Sequence, residues 1–467
     1  MTLRERVLRG GTYLILRQVL GLGLSLLGVL VITWLIGPTN YGLYAGATGF
    51  LLFLSSVAKM GIDVYLIRQE NITDEVVYHQ AFSFLLLSGL GLSGLGLLGS
   101  PLVVYWLGDP RFLAPLQALL LSLPITVLSV PALARLERAL DYQKVAALEL
   151  VGQLLYFALA LTLAWYGFGV WALIAGSYIL QAWTMAASYS LASYRPRLFW
   201  SSELLHEMLR YGFGFSISVW MWQLRTLVNP LIVGPYLGPE GVGYVALANR
   251  FVEALGFVKT ATWRISIAAL AKVQQDLTRL RQALEEGMAL QFMAIGPLLA
   301  GFALLAPWLL PRLVGDQWTP VLLVYPFVSL HFLVVAAFTM HASVFYVLRR
   351  NRAVLLFNMI NVGLLASGAL LLVPRFGLIG YGWAEVLSLS YLVFVHLYLA
   401  RIFSPNYARA RPWLLAFAPP LFFPLVGSTG GLVLYVFPLL LIFSSVARTQ
   451  MQEYWAYFTK KRNSLIR

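Results

Sequence analysis

The residues of this chain with the means to do chemistry are cations set inside apolar runs. Arg225 sits near the middle of the stretch Tyr211 to Gly234, which is long enough to cross a bilayer. A charge at that depth costs roughly 2.5–3.5 kcal/mol on insertion scales, so it persists only beside water or a partner. Arg17, Lys59, Arg250, Lys259 and Arg264 also fall inside apolar runs, against the acids Asp63, Glu149, Glu253 and Glu385 at comparable depth. This surplus of cations suits an anionic cargo.

Each of these residues also has a plainer reading. Arg17, Lys59 and Arg264 lie within two turns of helix ends, where a long side chain reaches the headgroups. Arg225 is too deep for that. Arg250 and Glu253 are three residues apart, and a helical period returns Arg264 to their face, while Lys259 points the other way. Asp63 follows Lys59 by four residues, which on one helix makes an internal ion pair; the alternative is a proton or sodium site. Glu149 and Glu385 fit pairing with neighbouring cations or ion coupling. Asn229-Pro230, one turn past Arg225, interrupts the helix ladder and is a hinge or a static kink. Trp220 and Trp222 near Arg225 are candidates for stacking on sugar faces or for an interfacial belt. His331 and His341 stand ten residues apart on different helix faces, which argues against a shared metal. We expect no metal and no cofactor.

Positioning such residues takes a helix bundle in lipid. The chain has 467 residues, 60% hydrophobic and 11% charged, with no cysteine and a net charge of +14. That composition excludes a soluble globular class, and the absence of cysteine excludes thiolate chemistry. The hydropathy pattern predicts an all-α polytopic membrane protein with about fourteen helices, near 12–36, 41–66, 80–107, 112–134, 145–166, 169–191, 211–234, 242–266, 287–310, 318–347, 353–373, 377–400, 412–427 and 430–447. The last two are short and interrupted by Pro419, Pro420, Pro424 and Pro438. With the N-terminus in the cytoplasm, 24 Lys and Arg fall on cytoplasmic segments and only Arg111, Arg312 and Arg375 on outer ones. The positive-inside rule then places both termini in the cytoplasm. The basic balance is therefore topological and does not point to nucleic acid.

The sequence echoes itself. Gly37, Pro38, Gly42 and Ala45 match Gly238, Pro239, Gly243 and Ala246 at one offset. Gly108-Asp109 matches Gly315-Asp316, and Trp171-Ala172 matches Trp383-Ala384. These echoes predict two parallel six-helix lobes at 1–200 and 201–405, then a helix pair at 406–447 and a basic tail at 448–467. No phosphate-binding G-x-x-x-x-G-K-[ST] and no H-E-x-x-H occurs, so ATP hydrolysis and zinc proteolysis by those motifs are excluded. A glycan polymerase would need a long outer loop, and the expected outer loops are short.

The stretch Ile36-Gly37-Pro38-Thr39-Asn40-Tyr41-Gly42-Leu43-Tyr44-Ala45, followed by Lys59-Met60-Gly61-Ile62-Asp63 and Leu66-Ile67-Arg68, resembles the opening of the Wzx-type polysaccharide flippases. These form the polysaccharide transporter branch of the MOP superfamily, with MATE antiporters and the lipid II flippase MurJ as relatives. Ile36 stands where the family pattern has Leu. The resemblance implies a non-enzymatic flippase of two lobes in the cytoplasmic membrane of a bacterium or archaeon. It moves an undecaprenyl-pyrophosphate-linked oligosaccharide by alternating access, for O-antigen, capsule or exopolysaccharide assembly. The expected site is a cationic cavity of Arg225, Arg250, Arg17, Lys59 and Arg264. Expected partners are the lipid-linked oligosaccharide, membrane lipids, and the polysaccharide polymerase and chain-length machinery. The competing reading is an ion-coupled, MATE-like exporter of small organic molecules, which calls for acids deep in the bundle.

Overall fold

A computed structural model describes residues 3–68, 75–259, 270–271, 273–427, 430–444 and 447–452, with the side chains of 3–20, Leu22, Phe215 and Ile442 left out. Among the described residues the chain is helical with no strand. The first helix, α1 (Leu3–Lys59), is followed by α2 (Ile62–Arg68), α3 (Glu75–Leu107), three short helices α4 (Leu113–Leu121), α5 (Leu123–Leu128) and α6 (Val130–Arg138), then α7 (Tyr142–Trp165) and α8 (Val170–Leu191). The second part contains α9 (Ser202–Val228), α10 (Gly234–Leu255), α11 (Leu277–Val314), α12 (Val321–Val347), α13 (Asn351–Ser388) and α14 (Tyr391–Ala400). It ends in α15 (Arg411–Phe417), α16 (Phe423–Val426) and α17 (Val436–Phe443).

Among the described residues, eight segments are long and apolar enough to cross a membrane. Two of them, Gly23–Lys59 and Asn351–Ala400, contain 37 and 50 residues. Each breaks at a glycine. Gly37 has φ 74 and ψ 173 inside α1, and Gly377 has φ 58 and ψ −133 inside α13. Counting both sides of those breaks gives ten rods; α9, α10 and the shorter apolar segments Arg411–Val426 and Gly431–Leu441 bring the described total to the expected fourteen. The hydropathy of α9 and α10 does not qualify them as spans; α9 alone carries Glu203, His206, Glu207, Arg210 and Arg225. The final pair is short and proline-broken, as the sequence predicts, with 3-10 turns at Pro419–Phe422 and Gly431–Tyr435.

The internal echo is present in the backbone. Gly238 adopts φ 65 and ψ −170, the conformation of Gly37, and each is followed by a proline that opens the next rod. A left-handed glycine followed by a proline with no N–H to lose is a helix stop joined directly to a helix start. Gly108 and Gly315 share positive φ as well. The third echo needs a correction. The backbone match of Gly377 is Gly169, at φ 54 and ψ −126. That offset sets Trp171 against Ile379, so the Trp171/Trp383 pairing is one helical turn out of register.

The described residues form two compact units. The first comprises Met1–Ala246, Pro311–Trp318 and Leu365–Leu378, and the second Leu247–Leu310, Thr319–Leu364 and Ile379–Arg467. In the first unit α9 runs antiparallel along the second rod of α1. Gly61 meets the backbone of Gly212, the Trp220 indole donates to the Ser56 carbonyl at 3.0 Å, and Gly49 and Gly46 face Pro230. In the same unit Ile32, Ile36, Phe157, Ala160, Ala164, Ala172 and Leu173 pack α1 on α7 and α8, small residues letting the rods approach closely. In the second unit α12 is the most enclosed rod, with the Tyr325 hydroxyl donating to Leu299 O at 2.9 Å and Phe327 lying over Gly382. Outward, α3 exposes Leu87, Leu90, Leu95, Leu98 and Leu102, a face that suits lipid and not water. The chain is a multi-pass membrane protein.

Trp318 anchors the first unit. It is fully buried, donates its indole N–H to Thr33 O at 3.1 Å, and meets Tyr41 and Tyr244 edge-on at 5.8 and 6.0 Å. We expect Trp318→Ala to cost about 3–5 kcal/mol and Trp318→Phe, which gives up the hydrogen bond and some area, about 1 kcal/mol. Thermal unfolding of the purified protein in detergent should rank wild type above Phe and Phe well above Ala; equal midpoints would remove Trp318 from the core.

Candidate functional site

Arg225 lies on α9, thirteen residues from Gly212 and thirteen from Gly238. At about 1.5 Å per residue that is about 20 Å in each direction, and α9 continues ten residues beyond Gly212 to Ser202, so the guanidinium lies nearer the Gly238 end. It is half-buried and engaged by neighbours. Across from it runs the second rod of α1, between the levels of Ser56 and Gly49. One turn on, Asn229–Val233 forms a π-helical segment before α10. This is the ladder interruption predicted at Asn229-Pro230; the proline removes a donor and the ladder widens to accommodate it. Asn229 Nδ2 donates to Val242 O at 3.1 Å, while its buried Oδ1 has no partner among the described residues. Trp220 is committed to Ser56, whereas Trp222 is exposed.

The two Gly-Pro turns meet each other. Gly42 lies against the carbonyl of Pro239, and Gly243 lies against the carbonyl of Pro38. A Cβ on either glycine would stand 1.7 or 2.4 Å from that oxygen, so neither position has room for a side chain. Beside this contact the Thr39 hydroxyl donates to Glu240 Oε1 at 2.9 Å. Asn40 accepts from Val170 N at 3.2 Å and donates to Ile36 O at 2.8 Å. Arg111 grips Asp109 through Nε and Nη2 at 3.1 and 2.7 Å. Those bonds hold the Asp109 carboxyl below the usual carboxylate range. The turns thus form a closed seam of backbone and small side chains.

Of the remaining candidate cations, Lys59 belongs to the same unit as Arg225. Lys59 ends α1 and is half-buried. Its expected helical ion pair with Asp63 is not formed: Met60 and Gly61 have φ 44 and 73, so the helix stops between them and the i,i+4 geometry is lost. Among the described residues no ion pair joins the two, and Asp63 Oδ1 instead accepts from Val64 N at 2.9 Å. Both stand near the Gly61–Gly212 contact, about 20 Å along α9 from Arg225. Arg250 and Glu253 are exposed on α10, both engaged, and belong to the second unit. Lys259 Nζ rests over the Phe332 ring at 4.8 Å. Glu149 is half-buried on α7 and engaged. The Arg17 side chain and the whole of Arg264 lie outside the described residues.

Glu385 is where the sequence gives half the answer. Its carboxylate is 1% exposed and takes the Tyr381 hydroxyl at 2.9 Å, with His331 Nδ1 at 3.3 Å. Tyr381 was legible as the residue one turn earlier on the same helix; His331 comes from α12, and nothing in the sequence joins it to Glu385. His341 has a separate environment, bonded through Nε2 to the Tyr407 hydroxyl at 3.1 Å, so the two histidines do not share a site. Among the described residues no cluster of three metal-ligating side chains occurs.

A family model described as polysaccharide biosynthesis protein matches residues 31–323. The succinoglycan biosynthesis transport protein ExoT of Rhizobium meliloti is 24% identical over 298 residues, 63% of this chain and 60% of that protein. The lipopolysaccharide biosynthesis protein WzxC of Escherichia coli is 21% identical over 329 residues, 69% and 66% of the two chains. The chain thus matches about two thirds or less of the length of these relatives. In fold it is similar to the lipid II flippase MurJ in an inward closed conformation, with TM-score 0.71 and 13% identity over 98% of this chain and 100% of that one. It is also similar to an inward-facing multidrug resistance MATE family transporter of the MOP superfamily, with TM-score 0.64 and 17% identity over 83% and 98%. The Gly-Pro seam, Arg225 and the rods that carry them, 38–59 and α9, all fall within the matched stretch. The chain belongs to the polysaccharide biosynthesis protein family.

Proposed function

We propose that the protein is a flippase that carries an undecaprenyl-pyrophosphate-linked oligosaccharide across the cytoplasmic membrane, for assembly of a surface polysaccharide. The observation that carries the reading is family membership joined to a half-buried guanidinium on α9, one turn before its π segment. The relatives' names supply the class of pathway, and the MurJ-like fold supplies a bundle able to host a lipid-linked cargo. Arg225 offers the pyrophosphate a forked pair of donors where the surroundings screen little. The polyprenyl tail remains in lipid throughout. Two six-helix lobes, 1–200 and 201–405, rock about the site, and the Gly-Pro seam is the outer gate in its closed state. The π segment at Asn229–Val233 is the hinge of α9. Both termini are cytoplasmic. The process is transport and not catalysis, with the polymerase and chain-length machinery acting on the delivered glycan. The likeness to a MATE transporter keeps small-molecule export as the second reading, and the cargo accumulated by inactive variants separates the two.

Three outcomes are expected. Arg225→Ala should abolish export while the protein still inserts, and Arg225→Lys should restore it only in part, since an ammonium supplies charge without the fork; Arg250→Ala should weaken export less. The measurement is lipid-linked glycan retained on the cytoplasmic leaflet, normalised to membrane level. Normal surface glycan with Arg225→Ala at full abundance would remove the anion site. For topology, the chain has no cysteine to mask a signal. Cysteines placed at Gly167 and Glu240 should react with an impermeant reagent on intact cells, and those at Ser202 and Asn351 should not. Finally, spin labels at Thr39 and Glu240 should report a short distance that lengthens in Gly42→Val or Gly243→Val; an unchanged distance in both variants would mean the seam is not a gate.

A further inference from the structure

Residues 194–201 join α8 to α9 and are not helical. The segment is held at both ends. Tyr194 is 3% exposed; its ring stacks on His79 at 5.5 Å and on Tyr189 at 5.6 Å, and its hydroxyl lies 3.1 Å from His79 Nδ1. Further on, Phe199 N donates to Ser83 Oγ at 2.9 Å and Ser201 N donates to Gln80 Oε1 at 2.7 Å, both acceptors being buried on α3. Pro196 fixes one backbone angle between these anchors and pushes Arg195 toward the extended region. Every residue from Arg195 to Trp200 is exposed, with Leu198, Phe199 and Trp200 at 76, 38 and 50%. Among the described residues neither Arg195 nor Arg197 has an ion pair or a hydrogen bond. The acids of α3 and α9 are engaged elsewhere: Glu75 with Arg135 at 3.2 Å, Glu203 Oε2 with the Ser201 hydroxyl at 2.8 Å, and Glu207 Oε1 with the Tyr65 hydroxyl at 2.9 Å. The segment begins three residues past the end of α8 and is tied to the first turns of α3, and both of these helices qualify as membrane spans.

We propose that residues 195–200 bind the headgroup of an anionic phospholipid, with Arg195 and Arg197 on the phosphate and Leu198, Phe199 and Trp200 among the first acyl carbons. The site concerns the surrounding lipid and not the cargo, so it stands apart from the transport reading. Charge and exposure together select the occupant. A guanidinium offers forked donors to phosphate oxygens. Two arginines separated by one residue are about 6–7 Å apart along an extended chain, close enough to serve one headgroup. A free phosphate would use the arginines and leave the apolar triad in water, whereas a lipid uses both. Tryptophan suits the level at which headgroups meet hydrocarbon. Because Tyr194 and the two backbone bonds to α3 already fix the segment, binding orders little new backbone.

The experiment uses the full chain in lipid nanodiscs. The chain has no cysteine, so a fluorophore on Ser202→Cys reports from this segment alone. Brominated phosphatidylglycerol, dilute in phosphatidylcholine, should quench it several-fold more than brominated phosphatidylcholine at the same fraction. Arg195→Gln and Arg197→Gln should each weaken that preference about fivefold, the worth of one cation at an anionic surface. Arg197→Lys keeps the charge without the fork and should lose less. A variant carrying Arg349→Gln and Arg350→Gln removes two exposed arginines elsewhere and should keep the full preference. Equal quenching by the two lipids overturns the proposal. An equal loss in the Arg349 and Arg350 variant also overturns it, because the effect is then one of net charge. Excess inorganic phosphate should leave the quenching in place; if it abolishes the preference, the segment takes a soluble anion and the lipid assignment falls. If one glutamine variant fails to insert, the other decides by the same ratio.

Discussion

Every backbone donor and acceptor inside a hydrocarbon core must be satisfied within the protein, because no water is there to do it. The architecture follows from that one requirement. Among the described residues the chain is mostly helical, and three of its reversals are compressed into single glycines. At Gly37, Gly238 and Gly377 one residue leaves the helical region and the next rod begins at once. A longer loop at these points would bring carbonyls and amides with no partner. The same requirement shapes the interruption at Asn229–Val233, where a proline is absorbed as a π turn and Asn229 bonds the Val242 carbonyl.

Charge obeys a related rule at another scale. Long side chains near rod ends can reach polar surroundings, and Lys59 at the end of α1 is placed to do so. Groups farther in have no such reach. Glu385 is bonded by a tyrosine and lies beside a histidine from within its own unit. Arg225 is half-buried, engaged by neighbours and one turn before the π segment.

Much of this was legible in the sequence because membrane helices depend on local composition. The rods, the Gly-Pro turns, the proline break after Arg225 and the short C-terminal pair all follow from residues near each other in the chain. What was not legible depends on pairing between distant segments. Lys59 and Asp63 read as an ion pair because the spacing assumed an unbroken helix, and Met60-Gly61 ended it. His331 read as an isolated histidine because its partner is on another rod. The echo of Trp171 with Trp383 matched letters, whereas the backbone matched Gly169 with Gly377, and only dihedral angles distinguish the two registers. The burial of Trp318 between Tyr41 and Tyr244 likewise had no signal beyond an aromatic residue after a Gly-Asp pair.

The reciprocal seam has a further meaning. Gly42 touches Pro239 and Gly243 touches Pro38, and the two glycines occupy the same place in each copy of the repeat, as do the two prolines. In such a contact the same patch serves both partners, as it does where two identical subunits meet across a two-fold axis. The chain therefore carries, inside one polypeptide, the isologous interface of a homodimer. At this point each half of the contact limits the other. There, each glycine remains constrained by a carbonyl it does not share in sequence, and a side chain acquired by either copy is a collision for both.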